Sequence, residues 1–139
     1  MKKIYLDIDG VLLTTSDIRA AKGAVDLMYF VLQNFDCYWL TTHCHDNDTT
    51  HVISYLSQYF YPSVVEKFKA VKPAVWNTLK TEGIDFDSDF IWLDDYPMQG
   101  ERKVLEQHGC LKNLIKVNLD NKDELFDVIQ KLKDLNGCC

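Results

Sequence analysis

Short, almost wholly apolar runs alternate with longer segments of helical periodicity along the chain. The apolar runs cover residues 3–8, 37–40, 90–93 and 114–117. Consecutive apolar positions are typical of a strand that is covered on both faces, as in a parallel sheet. Strands separated by helices favour βαβ units. The sequence therefore predicts an α/β fold, namely a doubly wound, Rossmann-like and mostly parallel sheet flanked by helices.

Helices are predicted over residues 23–35, 47–59, 73–83, 99–108 and 122–135, where apolar side chains recur at helical spacing. Pro73 is expected to open the third helix, because proline suits the first helical position. Residues 61–69 are predicted to be irregular or a short strand. No repeat or Ser/Gly-rich linker divides the chain, so residues 1–139 are predicted to form a single domain.

Composition narrows the class of protein. The 139 residues are 47% hydrophobic and carry a formal net charge of -6 with a pI near 5.1. That charge does not indicate nucleic-acid binding, although a role at a nucleic-acid end stays open. No apolar stretch approaches the roughly 20 residues that span a bilayer. Five scattered cysteines are a poor disulfide framework, so a cytoplasmic protein is predicted, with no role for Cys138 and Cys139.

Two aspartates, Asp7 and Asp9, end the first apolar run, and Gly10 stops that run. Two carboxylates at the end of a buried strand need a counter-charge, because an unpaired buried charge is costly. A divalent cation supplies that charge most economically. The pair therefore points to a metal-dependent site, although two acids before a glycine also suit a simple turn.

Polar side chains also follow two later strands: Thr41 and Thr42 after the second, and Asp94 and Asp95 after the third. Open α/β sheets bind ligands beyond the carboxyl ends of their strands, so these groups are expected in one site. Oxygen donors without a paired Cys/His chelate favour magnesium over zinc. The segment His43-Cys44-His45-Asp46 matches no standard zinc spacing, and we interpret it as a substrate-facing loop or a helix entry.

Four motifs in order resemble those of the haloacid dehalogenase-like (HAD) hydrolase superfamily. Asp7-Ile8-Asp9-Gly10-Val11 resembles the first motif, Asp-x-Asp-Gly-Thr/Val, and Trp39-Leu40-Thr41 resembles the second, an apolar strand ending in Thr or Ser. Lys72-Pro73 resembles the third, a lysine at a helix start, and Ile91-Trp92-Leu93-Asp94-Asp95 resembles the fourth, an apolar strand ending in acids. The resemblance spans about residues 3–95 and favours the phosphatase branch.

The resemblance implies a magnesium-dependent phosphatase that hydrolyses a phosphate monoester through an aspartyl-phosphate. Asp7 would be the nucleophile and Asp9 the general acid and base. Thr41 and Lys72 would complete the catalytic set by stabilising the phosphoryl oxygens. The residues implied in phosphate binding are Asp7, Gly10, Thr41, Thr42 and Lys72, and the implied magnesium ligands are Asp7, the backbone carbonyl of Asp9, Asp94 and Asp95. Asp95 is expected to bind the ion directly and Asp94 through water. Asp9 disfavours dehalogenation, because a halide leaving group needs no proton.

Two of these roles have competitors in the sequence. Thr42 competes with Thr41, since either hydroxyl also suits a helix cap, and we prefer Thr41 because it ends the strand. Lys67 and Lys69 compete with Lys72. We prefer Lys72 because a helix start also favours an anion through its free N–H groups.

The intervals between the first three motifs are each about 30 residues, enough for one helix and its connections. The chain is therefore predicted to lack a large cap domain and to have an open site. An open cleft suits a phosphorylated substrate that is either a small molecule or a macromolecule, such as a phosphoprotein or a nucleic-acid end. A second subunit covering the cleft would make the protein a homo-oligomer.

Two other functions stay open. Receiver domains of phosphorelay signalling share the length and fold and place acids, Thr and Lys around magnesium, but their adjacent acids come on the first strand and their lysine comes late. A catalytically silent member that binds phosphate or a protein partner is the other possibility. The intact motif set argues against it.

Overall fold

A five-stranded, all-parallel sheet forms the centre of the protein in a computed structural model that describes residues 1–135. Its strands are β1 (Lys3–Leu6), β2 (Asp36–Trp39), β3 (Lys72–Pro73), β4 (Phe90–Asp94) and β5 (Leu114–Lys116), in the order β3-β2-β1-β4-β5. Every neighbouring pair is parallel. The predicted α/β, Rossmann-like fold is confirmed.

Residues 1–135 contain five α-helices, of which the first four lie between strands and the last follows β5: α1 (Ala24–Asn34), α2 (Thr50–Leu56), α3 (Pro62–Phe68), α4 (Gln99–Gln107) and α5 (Glu124–Leu135). Two turns of 3₁₀ helix, Lys80–Gly83 and Leu111–Asn113, precede β4 and β5. Within residues 1–135 the connections hold these elements and no large cap domain. None of the helices described there is both long and apolar enough to cross a membrane. Cys138 and Cys139 lie outside the described residues.

The sheet is apolar on both faces because alternate side chains of each strand enter different cores. In β1, Ile4 and Leu6 join the core that contains α1, α2, α3 and α5, whereas Tyr5 joins a smaller core with Leu105 of α4. In β4, Ile91 and Leu93 likewise face the first core, while Phe90 and Trp92 face the second. Burial on both faces explains why the strands read as continuous apolar runs.

The strand order places a switch point between β1 and β4. From β1 the chain proceeds outward to β2 and β3, then crosses back to place β4 on the other side of β1. A crevice opens at such a point beyond the carboxyl ends of the two strands, because their following connections run in opposite directions. Asp7 follows β1 and Asp94 ends β4, so the fold brings both acids to this crevice.

Residues Pro62–Phe68 form helix α3, so the prediction of an irregular segment or a short strand over residues 61–69 was wrong. Helix α3 begins with Pro62, whose ring fixes φ for the first helical position and whose missing N–H costs nothing there. Val64, Val65 and Phe68 then point into the larger core. Burial of these three side chains outweighs the modest helix propensity of valine.

The predicted helix from Pro73 was also wrong. Lys72 and Pro73 pair with Tyr38 and Trp39 as an edge strand, and Ala74 N donates to Trp39 O at 3.1 Å. A residue before proline is driven away from helical φ/ψ by the ring, so Lys72 is extended. Proline is tolerated at a sheet edge, where its missing N–H removes no ladder bond.

Candidate functional site

Asp7 and Asp94 lie side by side at the carboxyl ends of β1 and β4. The pairing of Leu6 with Leu93 fixes this register, and Asp7 N donates to Leu93 O at 3.1 Å. Both side chains are buried: Asp7 is 7% and Asp94 is 1% exposed. Backbone N–H groups satisfy one oxygen of each, since Ile8 N donates to Asp7 Oδ1 at 2.8 Å and Tyr96 N donates to Asp94 Oδ1 at 2.9 Å. The other oxygen of each acid faces Lys80.

Lys80 is the cation of the site. Its Nζ lies 2.7 Å from Asp94 Oδ2 and 3.2 Å from Asp7 Oδ2, and the whole side chain is buried. Lys80 opens the 3₁₀ turn that precedes β4. The loop before that turn is held by Glu82, whose carboxylate accepts hydrogen bonds from the backbone N–H groups of Asn77, Thr78 and Leu79. A single ammonium therefore bridges the two buried acids.

Lys72, the lysine predicted for the third motif, is not at this site. The prediction that it binds phosphate was therefore wrong. Its Nζ bonds Asp36 Oδ1 at 2.9 Å with 59% of the side chain exposed. Asp36 begins β2, so this pair lies at the opposite end of the sheet from Asp7. The two competing lysines also have partners other than the buried acids: Lys67 lies over the ring of Tyr29, and Lys69 pairs with Glu66 on the surface.

Negative charge exceeds positive charge around Asp7. Burial raises the pKa of Asp7 to about 7, with Asp94 adding to the rise and Lys80 opposing it. Burial and Asp94 also raise the pKa of Asp95. Burial works to lower the pKa of Lys80, but Asp7 and Asp94 outweigh it and the net shift is upward. Lys80 thus stays charged while the acids beside it compete for too little positive charge.

Asp7, Asp94 and Asp95 form a group that could hold a metal ion, with one carboxylate oxygen of each within 4.8 Å of the others. These are hard oxygen donors, the kind that magnesium prefers. Asp94 has Oδ2 bonded to Lys80, whereas Asp95 is less buried and faces Gly10. The donor set and the surplus of negative charge both fit a divalent cation.

Gly10 gives Asp95 its room. Its φ is +81°, which favours glycine, and a Cβ built there would lie 2.0 Å from Asp95 Oδ2 and 2.7 Å from Asp95 Cβ. Rotating the Asp95 side chain would not relieve the clash between a Cβ at position 10 and the Cβ of Asp95, because rotation about χ1 leaves the Asp95 Cβ in place. Beside Gly10 and Asp95 a polar cleft of about 570 Å³ opens, lined also by Thr14, Arg19 and Asn118. Of the three acids, Asp95 lines this cleft.

Asp9 is not one of the three grouped acids, and its carboxylate is bonded by two other side chains. Tyr55 donates its hydroxyl to Asp9 Oδ1 at 2.8 Å, and His43 Nε2 lies 2.8 Å from Asp9 Oδ2. An ionised Asp9 accepts a hydrogen bond from His43 when Nε2 carries the proton. The Asp9 side chain remains 42% exposed. The Asp9 carboxylate is therefore bonded by two side chains and still accessible to solvent. That the backbone carbonyl of Asp9 binds magnesium stays a prediction.

The two threonines occupy different environments. Thr41 is buried just beyond β2, and its Oγ1 accepts a hydrogen bond from His43 N at 3.3 Å. Thr42 is exposed. Because β2 pairs with β1 from Lys3–Asp36 to Leu6–Trp39, Thr41 lies at the same edge of the sheet as Asp7. The buried position of Thr41 suits the predicted role better than that of Thr42.

The side chains of the His43-Cys44-His45-Asp46 segment diverge. His43 bonds Asp9, Cys44 Sγ donates to Asp46 O at 3.4 Å, and the His45 ring stacks on Trp76 with centroids 4.1 Å apart. The segment is a loop between β2 and α2. His43 connects this segment to Asp9 and Thr41, and Cys44 N donates to Thr41 O at 3.1 Å.

Sequence reasoning missed Lys80, Tyr55 and Glu101. Glu101 is 2% exposed, and its oxygens accept hydrogen bonds from Lys80 N at 2.7 Å and Met98 N at 2.8 Å. The one sequence signal for Lys80 is that it is the last lysine before β4. Glu101 has a signal as well, because a glutamate in the first turn of α4 suits backbone capping. Tyr55 carries no local signal, since it is one apolar position of a helical pattern.

Comparisons with protein-family models, with curated proteins and with solved structures found no match.

Proposed function

We propose that the protein is a magnesium-dependent phosphatase of the HAD-like type that hydrolyses a phosphate monoester. One observation carries the proposal: Asp7 and Asp94 meet at the switch point of the sheet and share the buried Lys80. Burying two acids against one lysine leaves a surplus negative charge, which costs stability unless a further positive charge compensates it. The arrangement makes sense when a cation and a phosphoryl group complete it.

In the proposed reaction, three residues act on the phosphoryl group. Asp7 attacks phosphorus in line with the ester oxygen and becomes an aspartyl-phosphate. Lys80, in the role that the sequence assigned to Lys72, places positive charge beside the phosphoryl oxygens as charge moves to the leaving group. The buried Thr41 hydroxyl donates to the same group. These residues position and stabilise the group that is transferred, which is most of what phosphoryl transfer requires.

Asp9 acts as the general acid and base. It protonates the departing ester oxygen in the first step and accepts a proton from water in the second. Magnesium, held by Asp7, Asp94 and Asp95, would neutralise charge on the phosphoryl oxygens. The open, polar cleft beside Gly10 and Asp95 admits the rest of a phosphorylated substrate.

Turnover of a chromogenic phosphate ester tests the proposal. The wild type is assayed with magnesium and with a chelator, beside Asp7→Asn and Asp9→Asn. We expect hydrolysis that needs magnesium and is lost in Asp7→Asn. A long-lived phospho-adduct without turnover would support a signalling domain instead. Magnesium binding without turnover or adduct would support a binding module.

A further inference from the structure

The carboxylate of Asp9 is held from two directions by residues outside the four motifs. Tyr55 reaches it from α2 and His43 from the loop after β2, each at 2.8 Å and each on a different oxygen. A carboxylate on a strand end has a freely rotating χ1 in solvent. Two hydrogen bonds to separate oxygens fix both its position and its plane.

The two holding residues also fix each other. The rings of His43 and Tyr55 stack with centroids 4.2 Å apart. The His51 ring lies beside both, with its centroid 5.6 Å from His43 and 6.5 Å from Tyr55. His51 Nε2 lies 3.5 Å from His43 Nδ1. Thr41 Oγ1 accepts a bond from His43 N, which ties the loop to the candidate site. The cluster is therefore built around Asp9 rather than touching it by chance.

The held carboxylate keeps room for a proton. Each carboxylate oxygen has two lone pairs, and Tyr55 and His43 use one on each oxygen. With 42% of the side chain exposed, the carboxylate can still exchange a proton with solvent. Burial and the hydrogen bond to Asp9 raise the pKa of Tyr55 to about 12, so its phenol remains a donor throughout the physiological range.

We infer that Tyr55 and His43 are positioning residues that aim Asp9 at the ester oxygen, and that the substrates are phosphate esters of poorly leaving aliphatic alcohols. The inference rests on the proposed function. As the Asp7 oxygen bonds to phosphorus, the ester P–O bond breaks and the Asp9 proton passes to the departing oxygen. An alkoxide needs that proton, whereas an activated phenolate leaves without it. The orientation of the Asp9 carboxyl group therefore affects the rate for alkyl esters and not for esters of activated phenols.

The test compares an alkyl phosphate with 2,4-dinitrophenyl phosphate. The measured quantity is kcat/KM, because it covers the steps up to departure of the alcohol and excludes hydrolysis of the phospho-enzyme. Tyr55→Phe removes the hydroxyl and keeps the stacked ring, and His43→Phe does the same for the imidazole. His43→Gln restores a donor close to the Nε2 position. Tyr59→Phe is the matched control, since Tyr59 packs edge-on against Tyr55 at 5.6 Å without bonding Asp9.

We expect Tyr55→Phe and His43→Phe to lower kcat/KM for the alkyl ester at least about tenfold more than for the dinitrophenyl ester. His43→Gln should recover part of that difference, and Tyr59→Phe should leave the ratio unchanged. Asp9→Asn should show the same selectivity more strongly. Circular dichroism and thermal unfolding establish that each variant is folded.

Equal losses with both esters, or an unchanged ratio, would overturn the positioning role while leaving the phosphatase intact. The proposed function fails in a different way, through a wild type without magnesium-dependent turnover of either ester or an Asp7→Asn variant that remains active. The two failures are therefore distinguishable in one set of assays.

Discussion

At the scale of single residues, Lys80 makes the candidate site possible. Two adjacent carboxylates at 7% and 1% exposure would repel each other strongly without a cation between them. Lys80 bonds both, and the surrounding acids keep its pKa above the usual value of lysine. Its charge is therefore permanent at working pH.

Replacing Lys80 distinguishes this lysine from the one that the sequence favoured. We expect Lys80→Met to lower kcat/KM for a chromogenic phosphate ester by about 100-fold or more, because a preorganised charge on the phosphoryl oxygens is lost. Lys72→Met should change it little, since Lys72 pairs with Asp36 at the far end of the sheet. Similar effects of the two substitutions would contradict the assignment of Lys80.

The sequence was sufficient to locate the candidate residues that follow strand ends. Asp7, Thr41, Asp94 and Asp95 follow apolar runs, and a parallel sheet brings such positions to one edge whatever the loops do. Lys80 could not be chosen this way. Its position depends on the 3₁₀ turn at Lys80–Gly83 and on hydrogen bonds to Glu82 and Glu101. No periodicity in the sequence predicts this turn or these bonds.

At the scale of elements, Glu101 joins the turn that carries Lys80 to the start of α4. Its two oxygens accept from Lys80 N and Met98 N, and no other buried glutamate occurs among residues 1–135. The bond to Met98 N satisfies a free N–H at the start of α4. The same side chain thus caps a helix and fixes the cation of the site.

A glutamine at position 101 offers only one oxygen to these two donors. We expect Glu101→Gln to lower the free energy of unfolding by about 1–3 kcal/mol, because one buried N–H loses its partner. It should also lower kcat, since Lys80 loses its anchor. Urea unfolding and steady-state kinetics measure the two effects.

Glu124→Gln is the matched control for Glu101→Gln. Glu124 accepts from Asn118 N at 2.6 Å at the start of α5, but it has no contact with Lys80. Its substitution is expected to affect stability and spare turnover. If Glu101→Gln destabilised the protein and left kcat unchanged, the link from Glu101 to Lys80 would have no catalytic importance.

Elements were predictable where hydrophobic pattern alone decides them. The runs at β1, β2, β4 and β5 and the helical periods at α1 and α5 were found close to their true bounds. Helix α3 and strand β3 were missed for a common reason. Around Pro62 and Pro73, local preference admits both extended and helical chain, and the outcome depends on burial against the core and pairing with β2.

At the scale of the whole molecule, the raised pKa of Asp7 couples the site to global stability. In the unfolded chain Asp7 loses its proton near pH 4, whereas in the metal-free fold it holds the proton until about pH 7. Between these values the unfolded chain binds fewer protons, so the stability of the fold falls as pH rises. The penalty is complete above about pH 7 and absent below about pH 4.

Asp7→Asn removes this penalty. In a chelator we expect the variant to unfold at a higher temperature than the wild type at pH 8, and the difference to shrink as pH falls toward 4. Magnesium should raise the wild-type midpoint at pH 8, because an ion that binds only the folded state stabilises it. The midpoint of Asp7→Asn should respond far less. Thermal unfolding by circular dichroism measures these midpoints for both proteins. A wild type more stable than Asp7→Asn at pH 8 without metal would contradict the prediction.

The position of β1 in the sheet also bears on how the site arises during synthesis. β1 and β2 leave the ribosome early and can pair, but the opposite edge of β1 stays open until β4 is made. Until then Asp94 is missing, and Lys80, although already made, lacks Asp94 and Glu101 as partners of its side chain and its backbone N–H. A chain that ends before β4 therefore carries Asp7, the nucleophile of the proposed reaction, without the acid that lies beside it. We expect competence for the proposed phosphoryl transfer only once β4 has paired with β1.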